Sequence, residues 1–140
     1  MTDVDRLRKA LSAEHAAVYA YGLLGARTTG TLRARVTAAY DAHRARRDAL
    51  RSLILTRGGA PTEPEASYEV GGVPTGSAAA VKLAVQVESG IAATYVELAA
   101  SDEASLRRYA ALAVQEAVTR SYGFRPALTT AFPGLPSGTG

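Results

Sequence analysis

The 140-residue sequence contains no cysteine and no tryptophan. Disulfide frameworks, cysteine-ligated zinc sites and thiol catalysis are therefore excluded. Lysines are also few, only Lys9 and Lys82, so the net charge of +3 comes mostly from arginine. No apolar run approaches the length needed to cross a bilayer, and the charged segment 1–15 lacks the apolar core of a signal peptide. We therefore expect a cytoplasmic protein that does not enter a membrane.

The sequence is instead rich in small and aliphatic residues. Hydrophobic residues make up 47% of the chain, with alanine, leucine and valine the most frequent. This content is enough for one domain with a buried core, and it favours helices that pack through small side chains. We assign residues 1–126 to this domain and residues 127–140 to a flexible C-terminal tail.

Turn and capping signals divide the domain into four predicted helices. They span residues 2–26, 31–57 and 77–100, and the stretch from the turn at residues 101 and 102 to residue 122. Segment 58–76 is rich in glycine, proline and glutamate and is too long for a tight turn, so it is predicted to cross over between helices 2 and 3. A short, a long and a short connection are typical of a four-helix bundle with one crossover.

Each predicted helix carries an apolar stripe that an ionisable residue interrupts near the middle. These four residues are Glu14, His43, Glu88 and Glu116. The first two are equidistant from the first turn, and the last two are equidistant from the turn at residues 101 and 102. In antiparallel hairpins the members of each pair would lie level with each other. We therefore predict that all four converge at the centre of one core.

This pattern resembles the ferritin-like di-iron proteins, which use one Glu on each of two helices and Glu-x-x-His on the other two. In helix 2 the histidine is kept as His43, but Tyr40 stands in place of the Glu. In helix 4 the Glu is kept as Glu116, but Thr119 stands in place of the histidine. The resemblance implies an all-α, ferritin-like antiparallel four-helix bundle with a degenerate di-metal site.

Two shorter segments, 13–22 and 40–48, resemble an actinobacterial family that is ferritin-like in fold and has no assigned function. The leading hypothesis is therefore a structural or binding module. One alternative is a metal-dependent oxidoreductase that uses iron or manganese at a reduced site.

The cofactor prediction has two forms. The four remaining ligand types could hold one Fe²⁺, Mn²⁺ or Zn²⁺ ion. Buried carboxylates can equally be balanced by a basic group, and Arg47 lies one turn from His43 on the same stripe. Tyr40, Thr119 and His15 are expected in or beside the same polar network. We favour this network over a bound metal, because two of the expected metal ligands are replaced and an arginine is present on the same stripe.

Two predictions concern partners. Small residues that permit close helix approach favour a homodimer; they are Ala16, Gly22, Ala92 and Ala93. Helix 2 also carries a basic patch, formed by Arg44, Arg46, Arg47 and Arg51. A basic helical protein that binds nucleic acid is thus a further alternative, but interleaved aromatics and a basic tail are missing. The sequence names no small-molecule ligand.

Overall fold

The described part of the chain folds into four α-helices and contains no strand. The computed structural model describes residues 1–127 and residue 135. The helices are α1 (Asp3–Gly25), α2 (Gly30–Thr56), α3 (Ser77–Leu98) and α4 (Ala104–Phe124). The predicted all-α class is thereby confirmed, whereas the predicted tail lies almost wholly outside the described residues. None of these helices is long and apolar enough to cross a membrane.

Local signals explain where α1 begins and where α2 ends. The Thr2 hydroxyl accepts a hydrogen bond from the Asp5 backbone at 3.1 Å, and the Asp5 carboxylate accepts one from the Thr2 backbone at 2.9 Å. This reciprocal capping box satisfies two backbone donors that a helix start leaves unpaired. After α2, Gly58 takes a φ of +73°. That left-handed conformation favours glycine and stops the helix.

The helices differ in how closely they pack. α1 packs along both α2 and α3, and α3 packs along α4, whereas α2 and α4 approach each other only sparsely. Arginine–carboxylate pairs bridge this α2–α4 seam instead. Arg57 Nη2 lies 2.6 Å from Glu103 Oε1, and Arg46 Nη2 lies 2.8 Å from Glu116 Oε1. The arrangement is consistent with a four-helix bundle.

Two apolar clusters form the core, one towards each end of the helices. The first includes Leu11, Leu50 and Ile91, and the second includes Leu24 and Val36. On α2 and α3 the buried His43 and Glu88 fall between the two clusters, and Glu14 is buried at the same depth on α1. The core therefore contains a polar layer between two apolar ones.

The connection between α2 and α3 lies against α1. A Cβ at Gly59 would come within 2.7 Å of Val4 Cγ1, so the backbone passes close to the start of α1. Further on, the ring of Tyr68 packs against Tyr19, with centroids 5.6 Å apart. The connection therefore runs along α1 from Val4 to Tyr19, which agrees with the predicted crossover.

The buried face of α4 differs from the predicted one. The prediction placed Glu116 on the core stripe. Tyr109 and Leu112 lie at helical spacing on the same face, but Leu112 is 52% exposed. The buried side chains are each displaced by one residue; they are Leu106, Ala110, Ala113 and Ala117. The helix is therefore rotated by about 100° from the predicted orientation. Alanines on the true face allow close approach to α3, and the larger apolar neighbours made the wrong face look like the core.

This orientation predicts opposite responses at two positions of α4. Ala117 is fully buried, so Ala117→Leu should overpack the interface and lower the free energy of unfolding by about 1–3 kcal/mol. Leu112→Ala, on the exposed face, should change it by no more than about 0.5 kcal/mol. Urea unfolding of both variants measures the two effects. A larger loss for Leu112→Ala would contradict the orientation.

Candidate functional site

Three of the four predicted ligands lie together in the polar layer. Glu14 on α1, His43 on α2 and Glu88 on α3 are each no more than 1% exposed. His43 bridges the two carboxylates with both ring nitrogens. Its Nδ1 lies 2.5 Å from Glu14 Oε2, and its Nε2 lies 2.8 Å from Glu88 Oε1. Since a carboxylate only accepts, this geometry requires both nitrogens to carry protons.

Two tyrosines donate hydrogen bonds to these carboxylates. Each tyrosine donates to the carboxylate of the other helix, so the two bonds cross between α1 and α3. Tyr21 Oη on α1 donates to Glu88 Oε1 on α3 at 2.9 Å, and Tyr95 Oη on α3 donates to Glu14 Oε1 on α1 at 2.7 Å. Burial and the neighbouring carboxylates raise the pKa of both phenols well above the usual value. Both therefore stay protonated and act as donors.

Arg120 supplies the second cation of the layer. It reaches inward from α4, and its Nη1 lies 3.2 Å from Glu88 Oε2 and 3.3 Å from Oε1, with 18% of the side chain exposed. The charges therefore balance, with Glu14 and Glu88 opposed by one imidazolium and one guanidinium. A buried carboxylate paired in this way avoids the large penalty of an isolated buried charge. We call these six side chains the core network: Glu14, Tyr21, His43, Glu88, Tyr95 and Arg120.

The protonation of His43 follows from two opposing effects. Burial disfavours the charged ring and lowers its pKa. Hydrogen bonds to Glu14 and Glu88, together with their negative charges, outweigh burial and raise the pKa of His43 from 6.5 to about 9. The ring is therefore an imidazolium at neutral pH, as its two hydrogen bonds require.

Glu116 and Thr119 do not join this cluster, and their predicted inward placement is corrected. The Glu116 side chain is 51% exposed and pairs with Arg46 across the α2–α4 seam, and Thr119 is exposed. Both were assigned from the wrong face of α4. The rotation of that helix puts Arg120 on the buried stripe, one turn beyond Ala117.

Arg47, Tyr40 and His15 also lie apart from the core network. Arg47 Nε donates to Asp48 at 2.9 Å, and the Tyr40 ring faces the Arg44 guanidinium at 5.4 Å. None of the three makes a hydrogen bond to Glu14, His43 or Glu88 within the described ranges. Arg47 was therefore wrongly predicted as the counter-charge, a role that Arg120 takes because α4 presents it to Glu88.

Three members of the core network were missed in the sequence, although two left a signal. Tyr21 and Tyr95 each follow the glutamate of their own helix by two turns, so α1 and α3 carry the same Glu-x₆-Tyr spacing. Residues two turns apart share a helix face. The third, Arg120, could have been predicted only if the buried stripe of α4 had been drawn through Ala113 and Ala117.

The fit of a metal ion to these residues depends on His43. An imidazole binds a metal through a nitrogen lone pair, and here both nitrogens are engaged with carboxylates. Across residues 1–127 and residue 135, no three His, Asp or Glu side chains are arranged to hold a metal ion. The residues fit a charge-balanced network better than a ferritin-type centre, and the assignment of Glu14, His43, Glu88 and Glu116 as metal ligands stays a prediction.

Comparison with known proteins places the chain in a family. It belongs to the family described as a domain of unknown function, DUF4439, which matches residues 6–137. The crystal structure of a conserved hypothetical protein, Rv2844, from Mycobacterium tuberculosis is similar in fold, with a TM-score of 0.84 and 28% sequence identity. The match covers 90% of this chain and 96% of that one. No protein with a curated description matches the chain.

The core network predicts unequal effects for two arginines. Arg120→Leu should leave Glu88 with less positive charge nearby and lower the free energy of unfolding by about 3–5 kcal/mol. Arg47→Leu, which removes a partly exposed arginine paired with Asp48, should change it by no more than about 1 kcal/mol. Thermal and urea unfolding of both variants measure this difference. Equal effects would mean that Arg120 does not balance the buried charge.

The core network also predicts a loss of stability at alkaline pH. The pKa of His43 rises from 6.5 in the unfolded chain to about 9 in the folded one, so folding favours the protonated ring. The resulting stabilisation, about 3 kcal/mol, is fully present below pH 6.5 and is lost as the pH rises through about 9. Urea unfolding across this range measures the change, and NMR titration of the His43 ring checks its source. A ring midpoint near 6.5 would contradict the network.

Proposed function

We propose that this chain is a ferritin-like domain in which the core network takes the place of a di-metal centre. In this proposal the domain works without a metal ion, as a structural or binding module. The polar layer then serves to fix how α1, α2, α3 and α4 pack, and recognition takes place on the outside of the bundle.

The register of the helices supports the antiparallel, ferritin-like part of the proposal. Glu14 pairs with Tyr95, and Tyr21 further along α1 pairs with Glu88 earlier on α3. Across the α2–α4 seam, Arg46 and Arg57 pair with Glu116 and Glu103 in the same reversed order. Ascending positions on one helix thus meet descending positions on the other, as in an antiparallel bundle with one long crossover.

One observation carries the metal-independent part: His43 uses both ring nitrogens to bridge Glu14 and Glu88. A metal-dependent oxidoreductase would need His43 to lose a proton and leave one carboxylate. A ferritin-type centre also needs more ligands, and the Glu116 side chain points to Arg46 instead. The arrangement therefore supports a structural role for the polar layer more strongly than a redox role.

Metal analysis tests this proposal directly. Protein purified from cells grown with added iron, manganese or zinc should carry far less than one ion per chain. A chelator should leave the melting temperature unchanged, since no metal contributes to folding. Near-stoichiometric metal, together with a chelator-induced fall in melting temperature, would overturn the proposal in favour of the oxidoreductase.

The homodimer remains part of the proposal, with one change in the residues expected to support it. Ala92 is only 3% exposed within the bundle, so it is not available to a partner. An open apolar groove of about 440 Å³ lies between α1, α3 and residues 68–71 of the connection. Its small residues Ala16 and Gly90 support close approach of a partner helix in this proposal. Light scattering at high protein concentration should give the mass of a dimer, and a monomer would reject this part.

A nucleic-acid role draws less support from the arrangement of the basic patch on α2. Arg46 pairs with Glu116 and Arg47 with Asp48, so part of the positive charge is already neutralised. Salt-dependent retention on DNA or RNA would be the sign of such binding. We do not propose it as a second function.

A further inference from the structure

The outward face of α3 carries few charges. Its 22 residues include three acidic or basic side chains, and one of these is the buried Glu88. The 27 residues of α2 include nine such side chains. Two exposed charges remain on α3, Lys82 near its beginning and Glu97 near its end. A helix face that stays in water is rich in charged residues, whereas the centre of a protein interface is depleted of them.

A row of small or neutral residues joins these two charges along one side of α3. Its members recur every three or four residues, with two adjacent residues at the middle, so they share a helix face. We call this row the α3 stripe: Lys82, Gln86, Ser89, Gly90, Ala93 and Glu97. Ala93 is half-buried, and the other five are exposed. The open groove between α1 and α3 borders the stripe and shares Gln86 and Gly90 with it.

Gly90 occupies the middle of α3 without a reason inside the described part of the chain. Its φ is not positive, and a Cβ added there would meet no atom within 4 Å. Glycine weakens a helix interior relative to alanine, so neither backbone conformation nor internal packing accounts for it. Glycine also serves where another backbone must come close, and here that backbone would approach from outside.

Lys82 and Glu97 are related by symmetry about the centre of the stripe. Both are equidistant from the midpoint between Ser89 and Gly90, at about 11 Å along the helix axis. When two copies of α3 pack antiparallel about a two-fold axis through that midpoint, Lys82 meets Glu97 of the partner subunit, and the contact occurs twice. Parallel packing would instead oppose like charges.

Both charges are free to make this contact. Lys82 pairs with no carboxylate among residues 1–127 and residue 135. Lys9 of α1 holds the Glu97 carboxylate, with Nζ 2.7 Å from Oε2, but 46% of the Glu97 side chain is exposed. Carboxylate oxygens have lone pairs for more than one donor, so Glu97 can accept from a second lysine.

We propose that the α3 stripe is the interface of a homodimer, in which the α3 helices of two copies pack antiparallel about a two-fold axis at Ser89 and Gly90. This interface belongs to the homodimer of the proposed function, on which it rests, and gives that dimer a surface, an orientation and two charge pairs. Gly90 and Ala93 let the two backbones approach closely. The ion pairs of Lys82 with Glu97 at both ends fix the antiparallel direction.

Charge reversal tests the pairing. Lys82→Glu and Glu97→Lys each oppose like charges at both ends of the interface, so the dissociation constant of either variant should rise about tenfold at low salt. A mixture of the two variants restores opposite charges at both ends and should recover the dimer. Sedimentation equilibrium measures both effects. They should shrink at about 1 M salt, where the Debye length is about 3 Å.

Arg33→Glu and Asp41→Lys are the matched controls for the charge reversals. They make the same changes of sign at exposed positions of α2, the helix that lies diagonal to α3 in the bundle. Neither variant alone, nor the mixture of the two, should change the dissociation constant by more than about twofold.

Gly90→Leu tests the close approach without a change of charge. A Cβ at this position meets no atom of the described chain within 4 Å, so the helix content measured by circular dichroism should be kept. The dissociation constant should rise at least about tenfold, because the larger side chain keeps the two backbones apart. Gly25→Leu, at the end of α1, is the control, since a Cβ there also meets nothing within 4 Å.

Three results would overturn the α3 interface, and they differ in what they leave standing. Unmodified protein that stays monomeric at high concentration would reject this interface together with the homodimer. A dimer that responds neither to the α3 charge reversals nor to Gly90→Leu would reject the interface and keep the homodimer. A control mixture that behaves like the α3 mixture would also reject the interface alone.

Discussion

The packing of this bundle depends on the double bridge that His43 makes between Glu14 and Glu88. Three helices each place one ionisable side chain in a layer that excludes solvent. Without mutual pairing, each of these groups would carry a large desolvation penalty. The bridge satisfies them only when α1, α2 and α3 sit at one depth relative to each other. Apolar clusters on either side contribute most of the burial, but they tolerate small shifts in register that the polar layer does not.

The fourth helix is held by a different balance of forces. It packs on α3 through alanines, and it meets α2 mainly through arginine–carboxylate pairs at the surface. Exposed pairs of this kind contribute little each. Arg120 is therefore the contact that couples α4 to the polar layer. In a di-metal protein the ions supply the positive charge and leave coordination positions open to reactants. In the proposed function side chains supply that charge, and the network presents hydrogen bonds in place of open coordination positions.

Much of the fold could be predicted from the sequence, because turn residues and capping signals are local. The buried faces of α1 and α3 were also recognisable. Leu11 and Glu14 on α1, and Glu88 and Ile91 on α3, are each three residues apart and so share a helix face. The face of α4 was not, because alanine is a weak marker of burial and Tyr109 and Leu112 are larger. The crossed tyrosine bonds depend on distances between helices, which a single sequence does not encode. The contact between His15 and the Thr62 carbonyl depends on the path of a long connection, so it too could not be seen in advance.

The charges of the polar layer are divided evenly between the two halves of the chain. Glu14 and His43 belong to α1 and α2, while Glu88 and Arg120 belong to α3 and α4. Each helix pair thus carries one negative and one positive group of its own. Each half therefore contributes a neutral pair, and the interior between the halves contains no net charge from these four groups. The crossed hydrogen bonds between α1 and α3 then fix the alignment of two halves that each carry no net charge into the polar layer.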